Sequence, residues 1–182
     1  MARKTKRDWW IAGIEILTTV GPSGLTIDNL CQQLTMTKGS FYHHFGGIDD
    51  FKEQLLAYYE EEGTLDIIEQ LTAVSTPLGK FKGLLDIIVE ASIMYTTYPE
   101  ATIRAWALHD EMVRAVQTRV DARRLAYVEA LLQEILNDPI EAKIKAQITY
   151  TILVGAEQMQ PPVIGEELRA LYDTLLPLLG IE

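Results

Sequence analysis

Apolar side chains recur along this chain at intervals of three and four, and turn-forming residues interrupt them at short distances. Trp10, Ile14 and Leu17 keep helical spacing, with Trp9, Ile16 and Val20 widening the face, so the pattern predicts a helix over about 5–20. Gly21-Pro22-Ser23-Gly24 is a turn cluster. Thr26 then offers an N-cap hydroxyl, and Ile27, Leu30, Cys31 and Leu34 line one face of a short second helix. Thr35-Met36 is a tight break. Thr37 caps a third helix, Lys38 to His44, which Gly46-Gly47 is expected to close.

Asp49 and Asp50 suit the first turn of the next helix, where the helix dipole favours negative charge. Phe51, Leu55, Tyr58 and Tyr59 carry that helix forward, and Leu65, Ile68 and Leu71 continue its spacing. After the loop Ser75-Thr76-Pro77, an amphipathic helix is predicted over about 79–97, and Pro99 opens a shorter one at the position a helix permits proline. A long helix follows from Asp110 to Leu136. Asn137-Asp138-Pro139 caps and opens another, to about Met159, and Pro161-Pro162 stops it before a last helix over about 165–179. The reading is all-α, about nine helices, with almost no strand signal and no repeat.

Composition narrows the class. With 182 residues, 48% hydrophobic and 23% charged, the chain is ordinary globular material, and no run of some 18 apolar residues offers a membrane span. The basic start resembles that of a signal peptide, but Asp8 and Glu15 break the apolar stretch and no small-residue cleavage site follows. The single cysteine, Cys31, makes no internal disulfide, which fits a cytoplasmic location. A net charge of −10 argues against nucleic acid until the chain is divided. Residues 1–46 hold Arg3, Lys4, Lys6, Arg7 and Lys38 against Asp8, Glu15 and Asp28, a balance of +2, which leaves −12 for the remainder. A mildly basic head on an acidic body suits a DNA-binding module with a separate second domain, although a solvated basic tail gives the same sum.

Residues 26–45 set two short helices around a turn of about three residues, a helix-turn-helix arrangement whose second helix enters the major groove. Phe41 and Phe45, four apart, share a buried face, and Lys38, Ser40, Tyr42 and His43 are left outward. Gly39 permits close backbone approach, Lys38 can reach a guanine edge or a phosphate, and Tyr42 and His44 can donate to phosphates. The run Leu25-Thr26-Ile27-Asp28-Asn29-Leu30-Cys31-Gln32-Gln33-Leu34, followed by Met36-Thr37-Lys38-Gly39-Ser40-Phe41-Tyr42-His43-His44-Phe45 and then Leu55, resembles the N-terminal signature of the tetracycline-repressor (TetR) family. The resemblance covers about residues 9–56.

What it implies is a three-helix DNA-binding head over 1–47 and a larger ligand-binding and dimerisation body over 48–182, with the last two helices joining two copies. Thr26 would cap the second helix and touch a phosphate. Thr37, Lys38, Gly39, Ser40 and His43 would face the groove, Tyr42 and His44 would hold the backbone, and Phe41 and Phe45 would be core. Three departures stand out. Thr35 occupies a turn position where the family often has glycine, Cys31 replaces a frequent alanine, and Ile48 stands where a lysine commonly begins the next helix. One phosphate contact is therefore expected to be missing, and Lys52, one turn on, is no evident substitute. The head is then expected to lean on Arg3, Lys4, Lys6 and Arg7.

Elsewhere, Met94, Tyr95, Tyr98, Trp106, His109 and Met112 are candidate effector contacts, since aromatic and methionine side chains with a few polar tips suit an organic ligand; plain core packing explains them equally. Ile144, Ile148 and Ile152 with Gly155, and Leu168, Leu171, Leu175, Leu178 and Leu179, are candidate dimer faces. His43 and His44 point about 100° apart on a helix and make a poor metal pair, so no metal or cofactor is expected. No nucleophile elbow or phosphate-loop motif appears, and enzymatic activity is not expected. The expectation is a cytoplasmic, homodimeric regulator, a repressor that binds palindromic operator DNA and answers to a small molecule. The alternative is a helical binding or oligomerisation protein whose operator recognition has weakened.

Overall fold

The computed structural model describes residues 4–94 and 99–181. Among these the chain forms ten α-helices, the fourth and fifth joined by a π turn, and no strand. By packing, it separates into two compact units, the first drawn from the described residues of 1–62 and 97–117, the second from those of 63–96 and 118–182. The functional boundary expected after residue 47 falls inside the first unit, at Gly47, the N-cap of a helix.

In the first unit, α1 (Lys6–Thr19) begins with a capping box: the Asp8 amide donates to the Thr5 hydroxyl, and the Thr5 amide donates to the Asp8 carboxylate at 2.7 Å. After a 3-10 turn at Pro22–Gly24 come α2 (Ile27–Leu34) and α3 (Lys38–Tyr42), and then α4 (Ile48–Glu60). α1 approaches α4 at Gly13, where a Cβ would lie 2.8 Å from the Phe51 ring and 3.2 Å from Leu55. Trp9, Phe41, Phe45 and Phe51 form the aromatic centre, with edge-to-face pairs such as Trp9–Phe41 at 5.6 Å and Phe45–Phe51 at 5.0 Å. α7 (Pro99–Ala107) and the start of α8 (Glu111–Leu136) complete this unit, burying Ile103, Trp106 and Val113.

In the second unit α6 (Pro77–Met94), the rest of α8, α9 (Pro139–Gln158) and α10 (Gly165–Leu178) enclose a core that includes Phe81, Leu85, Leu132, Ala142, Ala146, Leu168 and Tyr172. Asp138 caps α9 by accepting from the amides of Ile140 and Glu141, as its place before Pro139 predicts.

Two local expectations are corrected. α3 ends at Tyr42 with His43 as its cap, and the glycines do not close it in a left-handed turn. Gly47 is extended (φ 167°) and starts α4, while the Gly46 amide donates to the Asp50 carboxylate at 2.7 Å. The helix predicted to run on to Leu71 is interrupted by a π turn, Glu61–Leu65, before α5 (Asp66–Leu71). Gly63 weakens the α register there, and the Arg124 guanidinium from α8 draws on the Gly63 carbonyl at 3.0 Å and the buried Thr64 hydroxyl at 2.9 Å.

Candidate functional sites

The helix-turn-helix is built by caps. The Thr26 hydroxyl accepts from the Asn29 amide at 3.2 Å, and the Asn29 side chain donates back to the Gly24 carbonyl at 2.8 Å, which fixes the entry into α2. The Thr37 hydroxyl accepts from the Ser40 amide at 3.3 Å and starts α3. Between them Thr35 turns the chain in the left-handed region, φ 54° and ψ 45°, a conformation a β-branched residue adopts at a cost.

Outward-facing groups and buried groups alternate sharply on α3. Phe41 is fully buried and Phe45 nearly so, whereas Tyr42, packed edge-on against Phe41, is 57% exposed. Thr26, Thr37, Lys38, Gly39 and His43 are exposed, and Ser40 is half-buried. At Gly39 a Cβ would meet only the Thr37 hydroxyl, at an ordinary 3.7 Å, so the fold itself does not demand glycine there. His44 differs from its neighbours. It is half-buried, with its ring 6.5 Å from that of Trp9, and so shares the core's edge.

Four basic residues of this unit, Lys4, Lys6, Arg7 and Lys38, are engaged within the chain. The Lys38 ammonium lies 2.6 Å from the Asp28 carboxylate, a contact that raises the lysine's pKa. Lys6 donates to Gln54 at 2.9 Å and sits over the Phe45 ring, Arg7 pairs with Glu62 at 2.8 Å, and Lys4 pairs with Asp8 at 3.7 Å. Arg3 lies outside the described residues. Ile48 opens α4 half-buried, with Lys52 half-buried one turn later. Cys31 is buried, and burial pushes its thiol upward.

Of the candidate effector contacts, Tyr95 and Tyr98 lie outside the described residues. Met94 ends α6 in the second unit and is exposed. Trp106 is buried on α7, His109 is exposed in the turn after it, and Met112 is half-buried on α8, all three in the first unit. The sequence reading passed over a buried polar group in that unit. The Tyr59 hydroxyl on α4 donates to the Glu100 carboxylate on α7 at 2.5 Å and lies 3.3 Å from the Gln117 side-chain oxygen on α8, and all three residues are buried. The signal was present: Glu100 shares the face of Ile103 and Ala107, and Gln117 that of Val113 and Val120, so both interrupt apolar stripes. Among the described residues no three His, Cys, Asp or Glu side chains gather into a metal-binding group, and no helix is long and apolar enough to cross a membrane.

The late helices divide their apolar residues. Ile144 and Ile148 on α9 are exposed, Ile152 is half-buried, and Gly155 faces open space. On α10, Leu168 and Leu175, with Leu179 just after, pack into the unit's own core, and only Leu171 and Leu178 turn outward.

Residues 12–58 match the profile of the bacterial regulatory proteins, tetR family. No curated protein matches the chain. Among solved structures, a TetR-family transcriptional regulator from Streptomyces coelicolor superposes with a TM-score of 0.77 at 15% identity, covering 96% of this chain and 89% of that one. The regulator FadR from Bacillus subtilis, in complex with stearoyl-CoA, gives 0.70 at 15% identity over 96% and 97%. AibR, in complex with isovaleryl coenzyme A and operator DNA, gives 0.63 at 11% identity over 82% and 83%. The N-terminal module of residues 12–58 thus matches that of the tetR-family regulatory proteins, and the chain shares its fold with these regulators over nearly its whole length.

Proposed function

We propose that this protein binds operator DNA as a homodimer, with α3 in the major groove, and that a small molecule held by the body of residues 48–182 controls that binding. The observation that carries the reading is the alternation on α3, where Phe41 anchors the helix and Tyr42, Lys38 and His43 stand in solvent over it. Such side chains suit phosphate and base-edge contacts. Thr26, Thr37, Gly39, Ser40 and His44 complete the interface in this reading. Structures of the same fold with operator DNA and with acyl-CoA ligands support it by likeness.

The exposed Ile144 and Ile148, with Leu171 and Leu178, support pairing of two copies through the last two helices, because a water-facing isoleucine row gains from being covered. Two heads then read half-sites about one turn apart. The sign of control proposed is repression. The effector favours a body conformation whose heads no longer match that spacing, which requires it to bind that state more tightly than the other. The body's negative charge favours a neutral or cationic effector.

The test is selection of duplex sites by the purified protein, beside a Lys38→Ala, Tyr42→Ala double variant. An enriched palindrome that the variant no longer selects supports the reading; no enrichment at low salt overturns it. A second reading, a helical binding protein with a weakened head, draws on Ile48 and on the engagement of Lys4, Lys6, Arg7 and Lys38 within the chain. The same selection decides between the two.

A further inference from the structure

We propose that Asp28 sets the discrimination of the DNA-binding face: it occupies the Lys38 ammonium and so suppresses binding to duplex of arbitrary sequence. The inference rests on the DNA-binding reading above. Asp28 lies in the first turn of α2 and Lys38 is the first residue of α3, so their 2.6 Å contact spans the turn between the two helices. Both side chains are well exposed, at 72% and 62%.

The pair has little to do for the fold. Ion pairs in open water add little to stability, and the turn is already held by the Thr26 and Thr37 caps and by Phe41 packed in the core. Its consequence lies at the surface. A duplex presents one phosphate charge per about 1.7 Å of axis, and binding without sequence preference comes from cations that replace its counterions. Lys38 is the cation this helix presents, and it is half-neutralised before DNA arrives. To take a phosphate it must leave Asp28, whose carboxylate then faces the polyanion without compensation. At a cognate site the exchange is different. The ammonium can move to a guanine edge, and the carboxylate can accept from a cytosine amino group, so both charges find partners. A device that penalises the wrong partner more than the right one raises the ratio of affinities at the expense of the affinity itself.

The experiment uses the full chain as wild type, Asp28→Asn, Lys38→Gln and the double variant. Each is titrated against a mixed-sequence duplex of roughly 30 base pairs and against a selected site, over a range of salt. Asp28→Asn is expected to bind the mixed duplex about tenfold more tightly at low salt. Its logarithmic salt slope should steepen by about one phosphate contact, and its preference for the selected site should fall. With Lys38→Gln in place, most of that gain should vanish. Asp28→Ser, which keeps a side chain suited to a helix start, repeats the test should the asparagine variant melt early. Unchanged binding of the mixed duplex by both Asp28 variants overturns the inference while leaving the DNA-binding reading intact. A gain that persists in full without Lys38 also overturns it, since bulk charge and not the pair would then be acting. A wild type that binds neither duplex at low salt overturns the DNA-binding reading, and this inference with it.

Discussion

Two outward faces of this chain carry opposite chemistry. α2 and α3 turn Thr26, Thr37, Lys38, Tyr42 and His43 to solvent above a core of Trp9, Phe41, Phe45 and Phe51. α9 turns Ile144, 56% exposed, and Ile148, 41% exposed, to solvent, while its small residues Ala142 and Ala146 pack the core of the second unit. The first face is stable as it stands, because hydroxyls, amines and imidazoles are well hydrated. The second leaves apolar area in water, at about 25 cal/mol for each Å² that a partner would remove. One surface is thus suited to a polar partner and the other to an apolar one, and the placement of the large apolar residues decides which: inward on α3, outward on α9.

Breaking the apolar face should have the largest effect. Replacing Ile144 and Ile148 together by Glu is expected to give a folded monomer by sedimentation, with operator affinity reduced about 100-fold or more, because two linked heads gain 10²–10⁴ over one. A dimer that survives both charges would remove α9 from the interface. Next comes the polar face, through two adjacent residues. Phe41→Ala should cost about 3–5 kcal/mol in thermal or chemical unfolding, since it empties a fully buried aromatic site. Tyr42→Ala should change stability by no more than about 0.5 kcal/mol and yet weaken DNA binding. Equal destabilisation by the two would mean that α3 is held by its outer surface as much as by its core.

The same contrast explains what the sequence discloses. Helix starts are written locally, in Thr26, Thr37, Asp138 and Pro139, and the caps form where those residues predict them. Phe41 and Phe45 declare the core of α3 by their spacing alone. The π turn does not, because the Arg124 side chain that draws on Gly63 and Thr64 stands about sixty residues away. Nor does the polar group of Tyr59, Glu100 and Gln117, whose members come from three helices. The leucine row of α10 reads as a single stripe, yet it splits. At 100° per residue, Leu171 and Leu178 lie about 60–80° to one side of Leu168, and the buried Tyr172 shifts the inward face to the other side. A stripe predicts that a face is apolar; which edge of it reaches the core depends on the partner helices.

A smaller effect follows from two turns. Thr35 in the first unit and Asn137 in the second both adopt left-handed backbone, at φ 54° and 53°. Asparagine tolerates that region, whereas a β-branched side chain crowds its own carbonyl, at a cost of about 1–2 kcal/mol. Thr35→Gly is therefore expected to stabilise the protein by about 0.5–1 kcal/mol after the added chain entropy of glycine is subtracted, and Asn137→Gly by less. Denaturant titration of both variants compares them directly. A gain at Asn137 equal to that at Thr35 would show that branching is not what strains the helix-turn-helix.

The smallest expected effect separates the two faces by pH. Asp50 accepts from the Gly46 amide at 2.7 Å and from the Gln54 side chain at 2.8 Å, tying the segment after α3 to α4. Those hydrogen bonds, the backbone one first, hold its carboxyl below the ordinary value of 3.8. A carboxyl that is more acidic folded than unfolded contributes its full stabilisation above the unfolded value, and loses it as pH falls through the lower folded value. Asp50→Asn should therefore be less stable than wild type near pH 6, and the gap should close below about pH 4 as the wild type loses the charged acceptor. The exposed row of Ile144 and Ile148 contains no titrating group, so a variant with alanine at both positions should show a difference from wild type that does not follow this acid limb. A gap for Asp50→Asn that stays constant down to pH 3 would mean that the carboxylate acts through shape and not through charge.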